Sequence, residues 1–205
     1  MSNATERAIG ARVAYPLFQT GDGGSTPTIA LRARDLAFEP CAKSHAVALV
    51  RAWHSRLPNC QRGPWMYAYH AHHDGVTYAV ALWNSPSART LPGDWIELRR
   101  MACAPDAPKN TASRFMGWMV KHLRAHHPQH PRAISYQDTE VHTGTIYRAS
   151  GWTLDHVSAP RVRDRSGHRV GTTRQYRSNL NGLAPDASAK ARWSVALTSS
   201  AERAA

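Results

Sequence analysis

Apolar residues recur along this chain at two spacings, one typical of helices and one of strands, and the stretches separate cleanly by length. Ile29 to Phe38 reads as a strand. Ala42 to His54 reads as a helix, because Ala42, Ala46, Leu49, Val50 and Trp53 fall at helical spacing, with Pro58 closing the region. Trp65 to Ala71 and Val76 to Trp83 flank HHDG, where Asp74-Gly75 is a tight-turn pair of the kind that supplies positive φ, so an antiparallel hairpin is expected. Trp95 to Cys103 starts as an alternating strand with Ile96 and Leu98 on one face, yet the next large apolar residue is Met101. That slip in phase predicts a β-bulge near Arg99 or Arg100.

The loop APDAPKN leads into a helix from Thr111 to His127, where Ala112, Phe115, Met116, Met119, Val120 and Leu123 form one stripe and Asn110 is placed to cap the first turn. Arg132 to Gln137 is a short strand, and a short helix from His142 to Ser150 is stopped by Gly151. Trp152 to Val157 and Arg169 to Tyr176 are expected to form a last antiparallel pair around a basic turn. The order β, α, β, β, β, α, β, α, β, β describes a mixed α/β protein with one large sheet flanked by helices. Residues 1–27, polar and rich in Gly, Ser and Thr, are expected to be a flexible leader, and residues 28–180 the folded domain. Residues 181–205, Ala- and Ser-rich and without periodicity, are expected to fray, with Trp193 as the only anchor candidate.

The formal charge of +12, from 26 Lys and Arg against 14 Asp and Glu, favours a polyanionic partner, nucleic acid ahead of an anionic membrane surface. The competing explanation is that a basic balance only keeps a protein soluble. Cys41, Cys60 and Cys103 are odd in number and far apart, with no C-x-x-C pair for zinc or a redox disulfide. Together with the lack of an apolar signal core or membrane-length run, they point to a reducing, cytoplasmic setting and no membrane partner.

A bulged strand running through a loop into a helix resembles the GNAT acyltransferase fold, whose splayed strand leaves backbone groups free for a pantetheine arm and whose helix N-terminus binds pyrophosphate. That resemblance implies cofactor contacts at Met101, Cys103, Asn110, Thr111, Ala112 and Ser113, with acetyl-coenzyme A or another acyl or acetamido donor. It departs from the pattern in having PDAPKNTAS where the Gly-rich pyrophosphate loop would be. Three segments, RAWHSRLPN (51–59), ALWNSPSAR (81–89) and SYQDTEVHTGTIYRASGW (135–152), resemble the Mom family of phage proteins. These install a carbamoylmethyl group on the exocyclic amine of adenine in double-stranded DNA to evade restriction.

The resemblance implies site roles for several residues, each with a plainer alternative. Asp138, after a strand and before a helix, is a base or orienter for an amine, or a helix cap. Tyr147 is a general acid or a packed aromatic, and Gly144, one helical turn before it, forms a slot beside the phenol. His142 relays a proton, binds metal or caps the turn. His54 and Ser55 are acceptor-site candidates or simply a polar helix end. His54, Asp138 and His142 are the ligand candidates for a catalytic iron. His70 and His72 share a strand face and His73 begins the turn, so these three histidines do not specify a three-ligand site. Arg161, Arg163, Arg165 and Arg169, with Arg56, Arg99, Arg100 and Arg148, form the expected phosphate-binding rim or a solvated charged surface. The rival function is a GNAT N-acetyltransferase acting on a small-molecule or protein amine.

Overall fold

The computed structural model describes residues 30–54, 60, 63–158 and 189–198. The elements run β1 (Ala37–Pro40), α1 (Lys43–Trp53), β2 (Tyr67–His73), β3 (Val76–Asn84), β4 (Ile96–Cys103), α2 (Thr111–His126), β5 (Arg132–Asp138), α3 (Thr145–Ala149), β6 (Thr153–Ser158) and β7 (Lys190–Ala196). One seven-stranded, mainly antiparallel sheet in the order β1-β2-β3-β4-β5-β7-β6 carries helices on both faces.

The first expected strand is corrected. The Arg32 N–H donates to Asp35 Oδ2 at 2.9 Å and closes a 3-10 turn over Ala33–Asp35, which leaves only Ala37–Pro40 extended. The β2–β3 hairpin turns at Asp74 (φ 46°) and Gly75 (φ 78°), the two left-handed residues that such a tight turn requires.

Strand alternation sorts the sheet into two cores. Tyr69, Ala71, Ala79, Ala81, Trp83, Ile96 and Leu98 pack with Phe115, Met116, Met119 and Leu123 of α2. Ala68, Val80, Leu82 and Ala102 pack with Ala46 and Val50 of α1. Leu82 pairs with Arg100 and Trp83 with Leu98, so Arg99 is the extra, bulged residue. The bulge returns Met101 and Cys103 to the α2 face and puts Arg100 on the α1 face with Ala102.

The C-terminal expectation also changes. Residues 190–196 are a strand inserted between β5 and β6, pairing with both, and β6 finds its partner there. The stretch 169–176, expected to fill that role, lies outside the described residues. Ala191 and Trp193 alternate inward, a period-two signal too short to stand out beside the Ala- and Ser-rich run around it.

Candidate functional site

Strands β4 and β5 run parallel through only three registered pairs, the last joining Leu98 to Ser135. Beyond it β4 continues to Cys103 and β5 to Asp138 with no registered pairing between them. A wedge-shaped gap opens in the sheet, and among the described residues β4 has no registered strand partner on its β5 side beyond Leu98.

The apex of the gap is closed by a short relay. The Ser135 hydroxyl donates to Leu98 O at 3.1 Å, and since it has one proton, the Tyr147 hydroxyl at 3.0 Å donates to Ser135 Oγ. Tyr147 stacks on Trp193 with ring centroids 5.2 Å apart and planes within 5°. Burial raises the affinity of its phenol for the proton, so it stays neutral well above physiological pH. Trp193 Nε1 donates to Gln137 Oε1 at 2.6 Å, and the Gln137 amide donates to the His142 carbonyl. This fixes the loop between β5 and α3 from below. Gly144 (φ 75°) fits over this pair so closely that an added Cβ would lie 2.5 Å from Trp193 and 2.7 Å from Gln137. The expected slot beside Tyr147 is therefore filled by Trp193.

Asp138 lies on the opposite face of the sheet from Tyr147, because Ser135 and Gln137 share a face with Trp193 while the alternate positions of β5 point the other way. Lys190 Nζ donates to Asp138 Oδ2 at 2.6 Å, and the Glu140 N–H donates to Oδ1 at 3.1 Å. One carboxylate thus ties the ends of β5 and β7 together and starts the turn that follows. It does not cap α3, which begins seven residues later at Thr145.

His54 terminates α1, its N–H donating to Val50 O at 2.9 Å. Its imidazole is held below the usual value, first by burial, then by the Arg100 guanidinium and by His142. Arg100 is itself desolvated, its Nη1 donates to Arg99 O at 2.7 Å, and its buried Nε meets no acceptor among the described residues. Arg99 is used differently. It donates to Ser85 O at 2.7 Å and lies 3.7 Å from Glu97, whose carboxylate accepts from the Ser87 N–H at 2.7 Å and hydroxyl at 3.0 Å. It therefore latches the β3–β4 connection. Arg148 covers Trp193 at 5.5 Å and donates to Thr143 O.

At the far side of the gap, Asn110 adopts a left-handed conformation (φ 70°) and makes no side-chain cap bond, contrary to the capping expected of it. Thr111 N–H donates to Pro108 O, so Ala112 and Ser113 present the first-turn amides of α2 that have no acceptor within the helix. Met101 and Cys103 are half-buried against the α2 core, and burial pushes the Cys103 thiol up to about 11. They contribute backbone rather than reactive side chains to the gap.

His54, Asp138 and His142 do not assemble into a metal site. Among the described residues one set of His, Cys, Asp and Glu brings three ligand atoms together, Glu39 with His70 and His72. Ser55, Arg56, Arg161, Arg163, Arg165 and Arg169 lie outside the described residues. Lys190, Gln137 and Ser135 were not anticipated. Lys190 reaches Asp138 across 52 residues of chain, a separation at which local spacing carries no signal.

A family model described as the Mom protein family matches residues 35–192. Curated proteins give no match. Among solved structures, a Bacillus subtilis acetyltransferase in complex with CoA is similar at 10% identity and TM-score 0.53, covering 80% of this chain and 99% of that one. The ribosomal-protein-S18-alanine N-acetyltransferase from Escherichia coli gives 10% identity, TM-score 0.53, and 80% and 96% coverage. A GNAT-family acetyltransferase from Streptococcus pneumoniae gives 8%, 0.53, and 80% and 99%. At these identities the likeness establishes the GNAT fold. No helix among the described residues is long and apolar enough to cross a membrane.

Proposed function

The chain belongs to the Mom protein family, and from that premise we propose that it is a transferase that adds a carbamoylmethyl group to adenine N6 in DNA, protecting phage DNA from restriction. The observation that carries the reading is the gap between β4 and β5 beyond the Leu98–Ser135 pair, with Arg100 of β4, Asp138 of β5 and the end of α1 at His54 on the same side of the sheet.

Adenine N6 is a weak nucleophile because its lone pair is delocalised into the ring, so the amine has to be extracted from the duplex, oriented and deprotonated. Extrusion costs a few kcal/mol, which phosphate contacts offset. His54, kept neutral by burial and by cationic Arg100, accepts the N6 proton on a ring nitrogen as the new bond forms. Arg100, desolvated and with its Nε unpartnered among the described residues, binds the anionic group that enters the gap, a phosphate of the flipped nucleotide or of the donor. Asp138, fastened to Lys190, positions the loop that carries His142, and is an orienting group in this scheme. Tyr147 supplies a proton to the leaving group only if its bond to Ser135 is exchanged for one into the gap. The unpaired edge of β4 and the amides of Ala112 and Ser113 fit the arm and phosphates of a coenzyme A-type donor, which when bound would carry an acetamido group activated at its methylene carbon.

Mass spectrometry of nucleosides from DNA of cells expressing the protein tests this reading. A deoxyadenosine species carrying the carbamoylmethyl mass, present with the native chain and lost in His54→Gln and Asp138→Asn, supports it. Unmodified DNA, with purified protein that acetylates amines and shows no salt-dependent retention on heparin or DNA, refutes it in favour of an amine N-acetyltransferase.

A further inference from the structure

Away from the gap, on the α1 face of the sheet edge, three lone-pair donors converge. Glu39 sits opposite His70 in the β1–β2 register, and its Oε1 lies 3.1 Å from His70 Nε2 and 3.1 Å from His72 Nε2. The two imidazoles stack with centroids 4.6 Å apart. A metal ion with ligands at about 2.0–2.1 Å in tetrahedral array separates its ligand atoms by about 3.4 Å, so these spacings match the edges of such a polyhedron.

We propose that Glu39, His70 and His72 form a binding site for a divalent transition-metal ion, Zn²⁺ or one of similar ligand preference, that clips edge strand β1 to the rest of the sheet. Two observations beyond proximity carry this. Among the described residues the buried His72 Nε2 makes no hydrogen bond although the carboxylate oxygen is 3.1 Å away, so the two atoms are not aimed at each other, as two ligands directed at a common ion are not. The His70 ring is oriented from behind, its Nδ1 3.4 Å from Thr77 Oγ1, which in turn lies 3.1 Å from His45 Nε2. His70 Nε2 is in hydrogen-bond geometry with Glu39 Oε1 at 3.1 Å, and in the other tautomer, with the Nδ1 proton accepted by a Thr77 hydroxyl that donates to His45, the same Nε2 lone pair is available to an ion shared with the carboxylate. That is the outer-shell arrangement typical of metal-binding imidazoles.

The side chain of Glu39 is 57% exposed, so the fourth position faces solvent and the ion can load and leave without unfolding the sheet. Two nitrogens and one oxygen suit zinc, copper or nickel better than magnesium or calcium. His73 takes no part, its Nδ1 lying 3.1 Å from Asp35 O.

The test uses the untagged full chain, stripped with chelator and then titrated calorimetrically with Zn²⁺, with Co²⁺ as a spectroscopic probe. The expected result is one saturable site per chain, visible Co²⁺ absorption of four-coordinate intensity, and a higher melting temperature with Zn²⁺. His72→Gln and Glu39→Gln lose that site, and Thr77→Val weakens it about tenfold to a hundredfold. Glu39→Gln alters an exposed side chain, so its melting in chelator should equal that of the native chain, which distinguishes ligand loss from misfolding. Absence of a one-per-chain site, or binding unchanged in Glu39→Gln and His72→Gln, overturns the proposal, and the second outcome assigns the metal to other histidines such as His122, His126 and His127.

Discussion

Replacing Gly144 by alanine tests the packing that supports the gap, and Gly151 supplies an internal reference. Both glycines have nearly the same left-handed backbone, φ 75° and φ 78°. An L-residue there costs roughly 1–2 kcal/mol, partly offset by about 0.4–1 kcal/mol from restricting the unfolded chain. Gly151 has nothing within 4 Å of an added Cβ, so Gly151→Ala should cost about 1 kcal/mol or less. At Gly144 the Cβ meets Trp193 at 2.5 Å and Gln137 at 2.7 Å. Neither neighbour can give way easily, since they are bonded to each other at 2.6 Å and Trp193 is stacked on Tyr147. Overpacking of this kind adds roughly 1–3 kcal/mol, so Gly144→Ala should lose about 2–4 kcal/mol in all. Urea unfolding followed by tryptophan fluorescence, with a common m-value, measures both variants. Equal destabilisation of the two, within about 0.5 kcal/mol, would refute the claim that Gly144 is there for contact rather than for its backbone angle.

His45, His54, His122 and His127 all hold folded values below the ordinary 6.5, burial being the first cause in each. Their unfolded forms therefore take up protons first, so stability is flat above about pH 6.5 and falls as pH drops through the folded values, and urea midpoints at about pH 7.5 and 5.5 should show a smaller loss in His54→Gln. Tyr147→Phe removes one hydrogen bond and should cost about 1 kcal/mol in the same assay. If Tyr147 is also the acid, the turnover of that variant falls far more than its stability, whereas unchanged turnover would confine the residue to packing. Cys41 and Cys103, each pushed up to about 11 with burial as the first cause, should resist iodoacetamide at neutral pH until denaturant is added, as mass spectrometry of the alkylated peptides will show.

The elements that local spacing determines were legible in the sequence. The phase slip between Leu98 and Met101 narrowed the bulge to Arg99 or Arg100, and Asp74-Gly75 located the hairpin, because each is a steric statement about two or three neighbours. The sheet partners of β5 and β6 were not legible. Trp193 pairs with Ser135, 58 positions away, and its inward alternation covers too few residues to be distinguished from the composition around it. The third member of the histidine cluster was hidden for the same reason, since Glu39 reaches His70 only through cross-strand register. For the gap, chain order identified the strands, and the sequence named Asp138 and Tyr147. It did not reveal that alternation sends them to opposite faces, nor that Asp138 is already bound to Lys190.

The insertion of β7 between β5 and β6 also sets a timetable for the growing chain. Strand β5 leaves the ribosome 52 residues before Lys190, the residue that pairs with its last position. At roughly 5–20 residues per second, that edge waits some 3–10 s with its hydrogen-bonding groups unmatched. Over that interval the nascent protein offers a β-edge to any other unfinished copy, the usual starting point of aggregation. Yield of folded protein should therefore respond to translation speed and to temperature during expression more than to the stability of the finished molecule.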